Sequence, residues 1–381
     1  MGATGAARPR PLRILLLTTS WPRTPEDPAG VFVAEQVAVL RARGHEVQVL
    51  HPEGPTPGAP QRGVRAVPWL RPRRLQQLVG GPGAPELLEG TRRAWAMAPA
   101  LTAALALAAA RAGRPDAVIS HWLLPCGAIG AGLARAHGVP HVAFCHSGDL
   151  SLLERLPARR PLARFIGGPG TTLAFVASHL QRRFADLAPA RSVLLPMGVD
   201  GSPDPRSEGP GGPARRALVV ARLVPVKGVD LAVQAVARCP TLSLTIAGDG
   251  PERARLEALA QTVAPGRVRF LGTVAPSVVR TLLAEHDVLL APSRVLPGGR
   301  TEGMPRVILE ALAAGRPVIA SAVGGALDLE GARGLTLVPT GDPVPLAAAL
   351  GGACPPAVLP DHLRWGHHGD ALEALLHGAA L

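Results

Sequence analysis

Of the 40 basic residues in this 381-residue sequence, 39 are arginine and one, Lys227, is lysine. A bias that fills surfaces with arginine leaves that exception unexplained, so position 227 invites a chemical reading. The segment VVARLVPVKGVDLAVQAVA puts Arg222 and Lys227 on the loop between a strand ending near Val220 and a helix from Val229. Two cations on a strand-to-helix loop are well placed to hold a diphosphate. Further on, RTEGMPRVILEALAAGRPVIAS (300–321) carries two glutamates. Pro305 fits the first helical position, Val307, Ile308, Leu309, Ala311 and Leu312 supply a buried face, and Gly315 ends the helix before Pro317 and a strand from Val318. Glu302 therefore falls on the loop ahead of the helix and Glu310 inside it, so they do not form the adjacent acid and base of a hydrolase. The helix start instead offers free N–H groups near Met304 to Val307, a setting suited to an anion. Glu310 could accept hydrogen bonds from two vicinal ribose hydroxyls. Cations near helix starts are commonplace; the acidic helix in the same half is what sets Arg222 and Lys227 apart.

These residues need elements to hold them. Short apolar runs at 13–18, 46–50, 117–120, 141–145, 173–176 and 193–195 read as strands, and helical spacing of Phe32, Val33, Val37 and Leu40 ends at Gly44. A second helix is expected over 127–137. The segment 201–214, GSPDPRSEGPGGPA, has no apolar periodicity and marks a linker, taken as 201–215. The alternation restarts at 217–220, 242–247, 268–271, 288–291 and 318–322. Alternating strands and helices mean an α/β fold of parallel sheets with right-handed crossovers. Two Rossmann-like halves are expected, 1–200 and 216–381, the second ending in a C-terminal helix. Ligands of such sheets sit beyond the strand C-termini, which directs attention to a cleft between the halves.

Composition narrows the function classes. The length suits two domains, and 47% hydrophobic against 18% charged residues is a globular balance. The run from Ile14 to Leu17 is too short for the core of a signal peptide, so export is not expected. The alanine-rich stretch 94–110 holds Pro99 and falls short of the roughly 20 apolar residues that span a bilayer, so it reads as a buried helix. Four cysteines lack zinc or redox spacing and read as small apolar residues. Net charge is +12, and residues 1–200 hold 23 Arg and no Lys against 12 acids. Such asymmetry fits an anionic partner, such as a membrane surface or lipid-linked phosphate, and equally a solvated arginine-rich surface. Nucleic acid is not an expected partner, since aromatic residues are 3% of the chain and no binding motif appears.

Several motifs together resemble glycosyltransferase family 4, a retaining family with the GT-B fold of two Rossmann-like domains facing across a cleft. They are ARLVPVKG with Arg222, Lys227 and Gly228, AGDGPE (247–252), and TEGMPRVILEA with seven residues between its glutamates. VGG (323–325) and VPTGD (338–342) continue the pattern, as do VAFCHSGD ending at Asp149 and MGVD (197–200) in the first half. The resemblance covers residues 13 to about 350. It implies that Arg222 and Lys227 hold a diphosphate, that Glu302 lies by the donor sugar, and that Glu310 binds ribose, with Gly303, Met304 and Pro305 in the same donor-binding stretch. His146 matches a histidine that faces the donor sugar; read alone, a histidine after a strand is often a turn residue satisfied by backbone. Gly30 matches a glycine whose backbone approaches the diphosphate, although Ala29 stands where the family often has another. At 248–251 the structural reading leads, a turn with Asp249 as N-cap and Pro251 at the first helical position. Leu327 and Asp328 replace the usual Pro and Glu.

The segment SWPRTPEDPAGVFVAEQVAVLRARGHEV further resembles bacterial transferases that build cell-surface polysaccharides of the teichuronic-acid type. The expected partners are a sugar nucleotide and a hydroxyl acceptor, lipid-linked acceptors included. No cofactor and no metal ligand is assigned, because cations and helix N–H groups can assist the leaving group and no Asp-x-Asp signature is present. Retention by front-face attack follows from the resemblance and from the lack of a carboxylate placed as nucleophile. The rivals are a GT-B-like sugar-nucleotide 2-epimerase and a non-catalytic subunit that binds a partner or membrane through Arg71, Arg73, Arg74, Arg155, Arg159, Arg160 and Arg164. Intact Lys227, Glu302 and Glu310 favour the transferase. The expected location is the cytoplasm, free or peripheral at the inner membrane face.

Overall fold

The computed structural model describes residues 10–379 apart from 57, 73, 74, 77, 79–91, 202–212 and 353. Most of the expected linker, and Arg73 and Arg74 of the first arginine cluster, lie outside the described residues. Seven strands, β1 (Arg13–Leu17), β2 (Glu46–Pro52), β3 (Val64–Val67), β4 (Ala117–His121), β5 (His141–Cys145), β6 (Thr171–Phe175) and β7 (Ser192–Leu194), form a parallel sheet in the order β3-β2-β1-β4-β5-β6-β7. Six more, β8 (Arg216–Val220), β9 (Ser243–Ala247), β10 (Val268–Gly272), β11 (Val288–Ala291), β12 (Val318–Ser321) and β13 (Leu335–Val338), form a second parallel sheet ordered β10-β9-β8-β11-β12-β13. Central strands such as β4, β5 and β6 are buried along their whole length, because helices cover both faces, and this is why they appear as unbroken apolar runs. The two unforeseen strands, β3 and β13, are half-exposed sheet edges, where a continuous apolar run is not required.

The crossovers of the first sheet are α1 (Val31–Ala42), α2 (Arg92–Ala110), α3 (Ala128–His137), α4 (Gly148–Arg155), α5 (Arg159–Ile166) and α6 (Ser178–Ala185). Those of the second are α7 (Val229–Ala237), α8 (Arg253–Val263), α9 (Pro276–Glu285), α10 (Arg306–Ala313) and α11 (Pro343–Leu350), and α12 (Trp365–Leu376) closes the chain. Helix starts differ from the expected positions by a residue or two. Pro305 is the flanking cap of α10 rather than its first helical residue. Glu252, not Asp249, precedes α8, because Pro251 and Glu252 complete the turn before the helical bonds begin. A tight turn over Leu123–Gly127 precedes α3.

In each sheet the strand order reverses beside the first strand, between β1 and β4 and between β8 and β11. Loops leaving those strands open a crevice at the C-terminal edge, and here the two crevices face each other. The chain crosses between the lobes again near its end: Val199 N donates to Leu363 O (3.1 Å), and α12 returns to the first core with Trp365, Leu372, Leu375 and Leu376. Glu373 anchors it there, accepting from Arg43 Nη1 and paired with His45 Nε2, both at 3.0 Å. The alanine-rich α2 packs on the first sheet through Leu101, Leu105 and Ala109, and among the described residues no helix is long and apolar enough to cross a membrane. Cys126, Cys145 and Cys354 are buried and Cys239 is half-buried, all as free thiols.

Candidate active site

The facing crevices form one cleft of about 2160 Å³. Arg222, Lys227, Glu302, Gly303, Met304, Glu310 and His146 all line it, so residues far apart in sequence converge. Gly30 and Pro305 do not; both are buried behind the wall, which Ala29 and Val31, and Met304 and Arg306, form in their place. Gly30 sits at φ 72° as the cap of α1, and a Cβ there would lie 2.5 Å from Ser20 O, so steric need alone explains the glycine.

Lys227 ends a tight turn of Pro225–Lys227. The turn is locked from behind, because a Cβ on Gly228 would lie 2.0 Å from Pro292 O and Arg294 N donates to Val226 O at 2.9 Å. The loops after β8 and β11 are thereby stitched together, and Lys227 Nζ reaches Glu302 Oε2 at 2.7 Å with both side chains largely buried. Gly324 and Gly325 support the Glu302 backbone: a Cβ on Gly324 would stand 2.3 Å from Glu302 O, and Gly325 N donates to Gly303 O at 2.7 Å. At the first residue of α10, Arg306 donates to Glu310 Oε1 one turn on (3.3 Å) and, across the cleft, to Glu35 Oε2 of α1 (2.8 Å). No side chain caps α10, and Arg306 and Val307 at its start line the cleft.

His146 rises from the loop after β5. Asp149 shapes that loop from beneath, accepting from His146 N (3.0 Å) and Leu123 N (2.8 Å). Burial raises the Asp149 carboxyl above its ordinary range, and the backbone donors oppose that shift. Ser147 takes φ 104°, a strained value for a residue with a Cβ, and its Oγ donates to Thr301 O of the other lobe at 2.8 Å. Gly303 approaches from that lobe so closely that a Cβ would lie 2.7 Å from His146 O. The imidazole of His146 packs between Trp122 and Phe32, with ring centroids at 4.6 and 5.0 Å, and its Nε2 lies 3.0 Å from His121 Nδ1. Part of the ring is open to the cleft, yet the enclosing rings disfavour its charged form and push it down to about 3.

Asp328, which stands in place of the family's usual glutamate, turns away from this site. It accepts from Ser178 N (2.7 Å) and from Ser178 Oγ, an acid from one lobe capping α6 of the other. Sequence reasoning did not single out Glu35, Gln36, His121, Ser178, Arg306 or His368. Gln36 and His368 carry a legible signal, each being a polar residue on an otherwise apolar helical stripe, Val33-Gln36-Val37-Leu40 and Trp365-His368-Leu372.

A family model described as Glycosyltransferase Family 4 matches residues 29–202, and one described as Glycosyl transferases group 1 matches residues 214–353. TuaC of Bacillus subtilis (strain 168), named for teichuronic acid biosynthesis, is 27% identical over 370 residues, covering 89% of this chain and 88% of its own. The 2-deoxystreptamine N-acetyl-D-glucosaminyltransferase of Streptomyces fradiae is 30% identical over 403 residues, covering 90% and 88%. Among solved structures, Anabaena HepE in complex with UDP and glucose superposes with a TM-score of 0.69 at 19% identity, over 96% of this chain and 99% of that one.

Proposed function

The chain belongs to glycosyltransferase family 4 and has the GT-B fold, and from that premise we propose that it moves a sugar from a nucleoside diphosphate to a hydroxyl acceptor with retention and without a metal ion. The observation that carries the reading is the Lys227–Glu302 pair at 2.7 Å, set beside Arg222, the uncapped start of α10 and Glu310. Negative charge grows on the diphosphate as the glycosidic bond breaks. Prepositioned cations and N–H groups stabilise that charge more in the transition state than in the ground state. Arg222 and Lys227 supply the cations, α10 the dipole, and Glu310 accepts from the ribose hydroxyls. Glu302 lies by the donor sugar. The acceptor oxygen attacks from the face the diphosphate leaves, and its proton passes to the departing phosphate oxygen. HepE binds UDP and glucose in the same fold, which supports a sugar nucleotide as the donor here.

The relatives are named for different products, teichuronic acid and a 2-deoxystreptamine glycoside, so the acceptor is read from the cleft wall. Leu152, Leu156 and Leu162 line it, and Arg155, Arg159, Arg160 and Arg164 are exposed on the same two helices, α4 and α5. An anionic, lipid-linked acceptor at a membrane surface fits that pairing of apolar wall and basic rim. Binding to anionic vesicles that weakens with salt is then expected, and equal binding to neutral vesicles would count against it.

The deciding experiment screens UDP-, GDP- and ADP-sugars by thermal shift and follows the stabilising donor by NMR with acceptor and EDTA. We expect the product to keep the donor's anomeric configuration and the rate to be indifferent to EDTA. An inverted product, or loss of rate on chelation, overturns the mechanism. Conversion of donor alone into a second sugar nucleotide would instead identify an epimerase.

A further inference from the structure

A row of buried polar groups runs through the first core from the C-terminal helix to the cleft. Gln36 and His121 are fully buried and His368 is 1% exposed. Pro196 O lies 2.8 Å from His368 Nδ1, and His368 Nε2 lies 2.8 Å from Gln36 Nε2. Gln36 Oε1 lies 2.9 Å from His121 Nε2, and His121 Nδ1 lies 3.0 Å from His146 Nε2. A buried chain of this kind can be fully satisfied only if every proton has one consistent place.

The place is set at the far end. A carbonyl oxygen only accepts, so His368 Nδ1 carries the proton. Burial keeps this imidazole neutral, pushed down to about 4, so its Nε2 is a lone pair that receives an N–H of Gln36. The amide then turns its oxygen to His121, whose Nε2 donates. His121 is also held neutral by burial, which leaves a lone pair at Nδ1, and His146 Nε2 donates to it. Turning the Gln36 amide round would need a second proton on His368, which its burial opposes. One peptide carbonyl thus directs four hydrogen bonds. They end at His146 Nδ1, which has no hydrogen-bond partner among the described residues, is not among the buried unpartnered atoms, and belongs to a residue on the cleft wall.

We propose that His368, Gln36 and His121 are positioning residues that hold His146 as its Nε2–H tautomer, so that Nδ1 accepts a hydrogen bond from a hydroxyl of the bound sugar; the sugar rests on the transferase reading above, the tautomer on the hydrogen-bond geometry. An imidazolium, or the opposite tautomer, would present a donor to the cleft and suit a phosphate. A lone pair there refuses the phosphate and asks for an O–H. Trp122 and Phe32 keep the ring from turning to offer its other nitrogen.

The test is long-range 1H–15N correlation on the full-length 15N-labelled protein near neutral pH, with the His146 signals identified by their disappearance in His146→Gln. His146 and His121 are expected to be protonated at Nε2 and His368 at Nδ1; His146 protonated at Nδ1 or at both nitrogens overturns the proposal. This measurement needs no substrate, so a wild-type protein that transfers no sugar would sink the transferase reading and leave the tautomer decided. The second arm is Gln36→Met, which keeps length but breaks the relay. It should give mixed tautomers at His146, lower kcat/KM about tenfold, and flatten the discrimination between the natural donor and donors lacking one sugar hydroxyl. A folded Gln36→Met protein with the wild-type tautomer at His146 and full discrimination overturns the proposal as well.

Discussion

At the scale of single residues, the base of the cleft is a short circuit of charges. Lys227 holds Glu302 at 2.7 Å, and Arg306 is shared between Glu310 at 3.3 Å and Glu35 at 2.8 Å. On the proposed function, Lys227 has two tasks when a donor enters, to meet the diphosphate and to keep the Glu302 carboxylate from repelling it. Lys227→Ala should lower kcat by about 100- to 1000-fold, the usual size for loss of one transition-state contact. Lys227→Ala combined with Glu302→Gln should recover part of that loss, since the unpaired carboxylate is gone too. Glu310→Ala should act on binding first, raising KM about tenfold with a smaller change in kcat. Steady-state kinetics with a saturable donor separate these patterns; a kcat effect at Glu310 with KM unchanged would reverse the assignment. Lys227 could be picked out of the sequence because it breaks a composition rule. Arg306 and Glu35 could not, since their pairing spans 271 positions and depends on how two lobes meet.

At the scale of elements, legibility follows burial. Parallel strands covered on both faces leave apolar runs that a reader can find, while the half-exposed edges β3 and β13 leave none. The motif loops could be located but their backbone shapes could not. Ser147 at φ 104° and Trp122 at φ 76° are residues that give no warning of such conformations. Gly303 shows what a loop contributes here. Its missing side chain lets the loop before α10 come within 2.7 Å, measured from the would-be Cβ, of His146 O. Gly303→Ala must push the two loops apart, and a contact between lobes yields by opening instead of unfolding. We expect kcat/KM to fall about a hundredfold, as misplacement by an ångström commonly does, while the melting temperature drops by only a few degrees. A variant with wild-type kcat/KM would mean that this close approach is not part of the active geometry; differential scanning fluorimetry run beside the assay shows whether the fold is intact.

At the scale of the whole molecule, two lobes with separate sheets meet, among the described residues, through several polar links at the cleft mouth and through Met304, which packs against both cores. Ser147 Oγ reaches Thr301 O, Arg306 reaches Glu35, and Asp328 caps α6 through Ser178. Beside them the chain itself crosses twice, at Val199 and Leu363, and α12 is rooted in the first core by Trp365, Leu372 and Glu373. The crossing combines apolar packing of Trp365, Leu372, Leu375 and Leu376 with the Glu373 ion pairs, all away from the acids at the mouth. The polar links lie at the mouth and are the ones that can break. Asp328 illustrates the point: its place beside a glycine pair marked it as a departure from the family pattern, but only its contact with Ser178 gives it a task. Interfaces of this modest, polar kind permit relative motion of domains by default. Removing two of the links, with Asp328→Ala and Glu35→Ala together, should shift the ligand-free protein toward a more open average. Small-angle X-ray scattering should then report a larger radius of gyration than wild type, returning toward the wild-type value when a tight-binding sugar nucleotide is added. Each lobe keeps its own core, so far-ultraviolet circular dichroism should not change, and the loss of stability should stay near the ~1 kcal/mol of a helix cap. An unchanged radius of gyration in the double variant would assign the closed form to the crossing at Val199 and α12 rather than to the acids at the mouth.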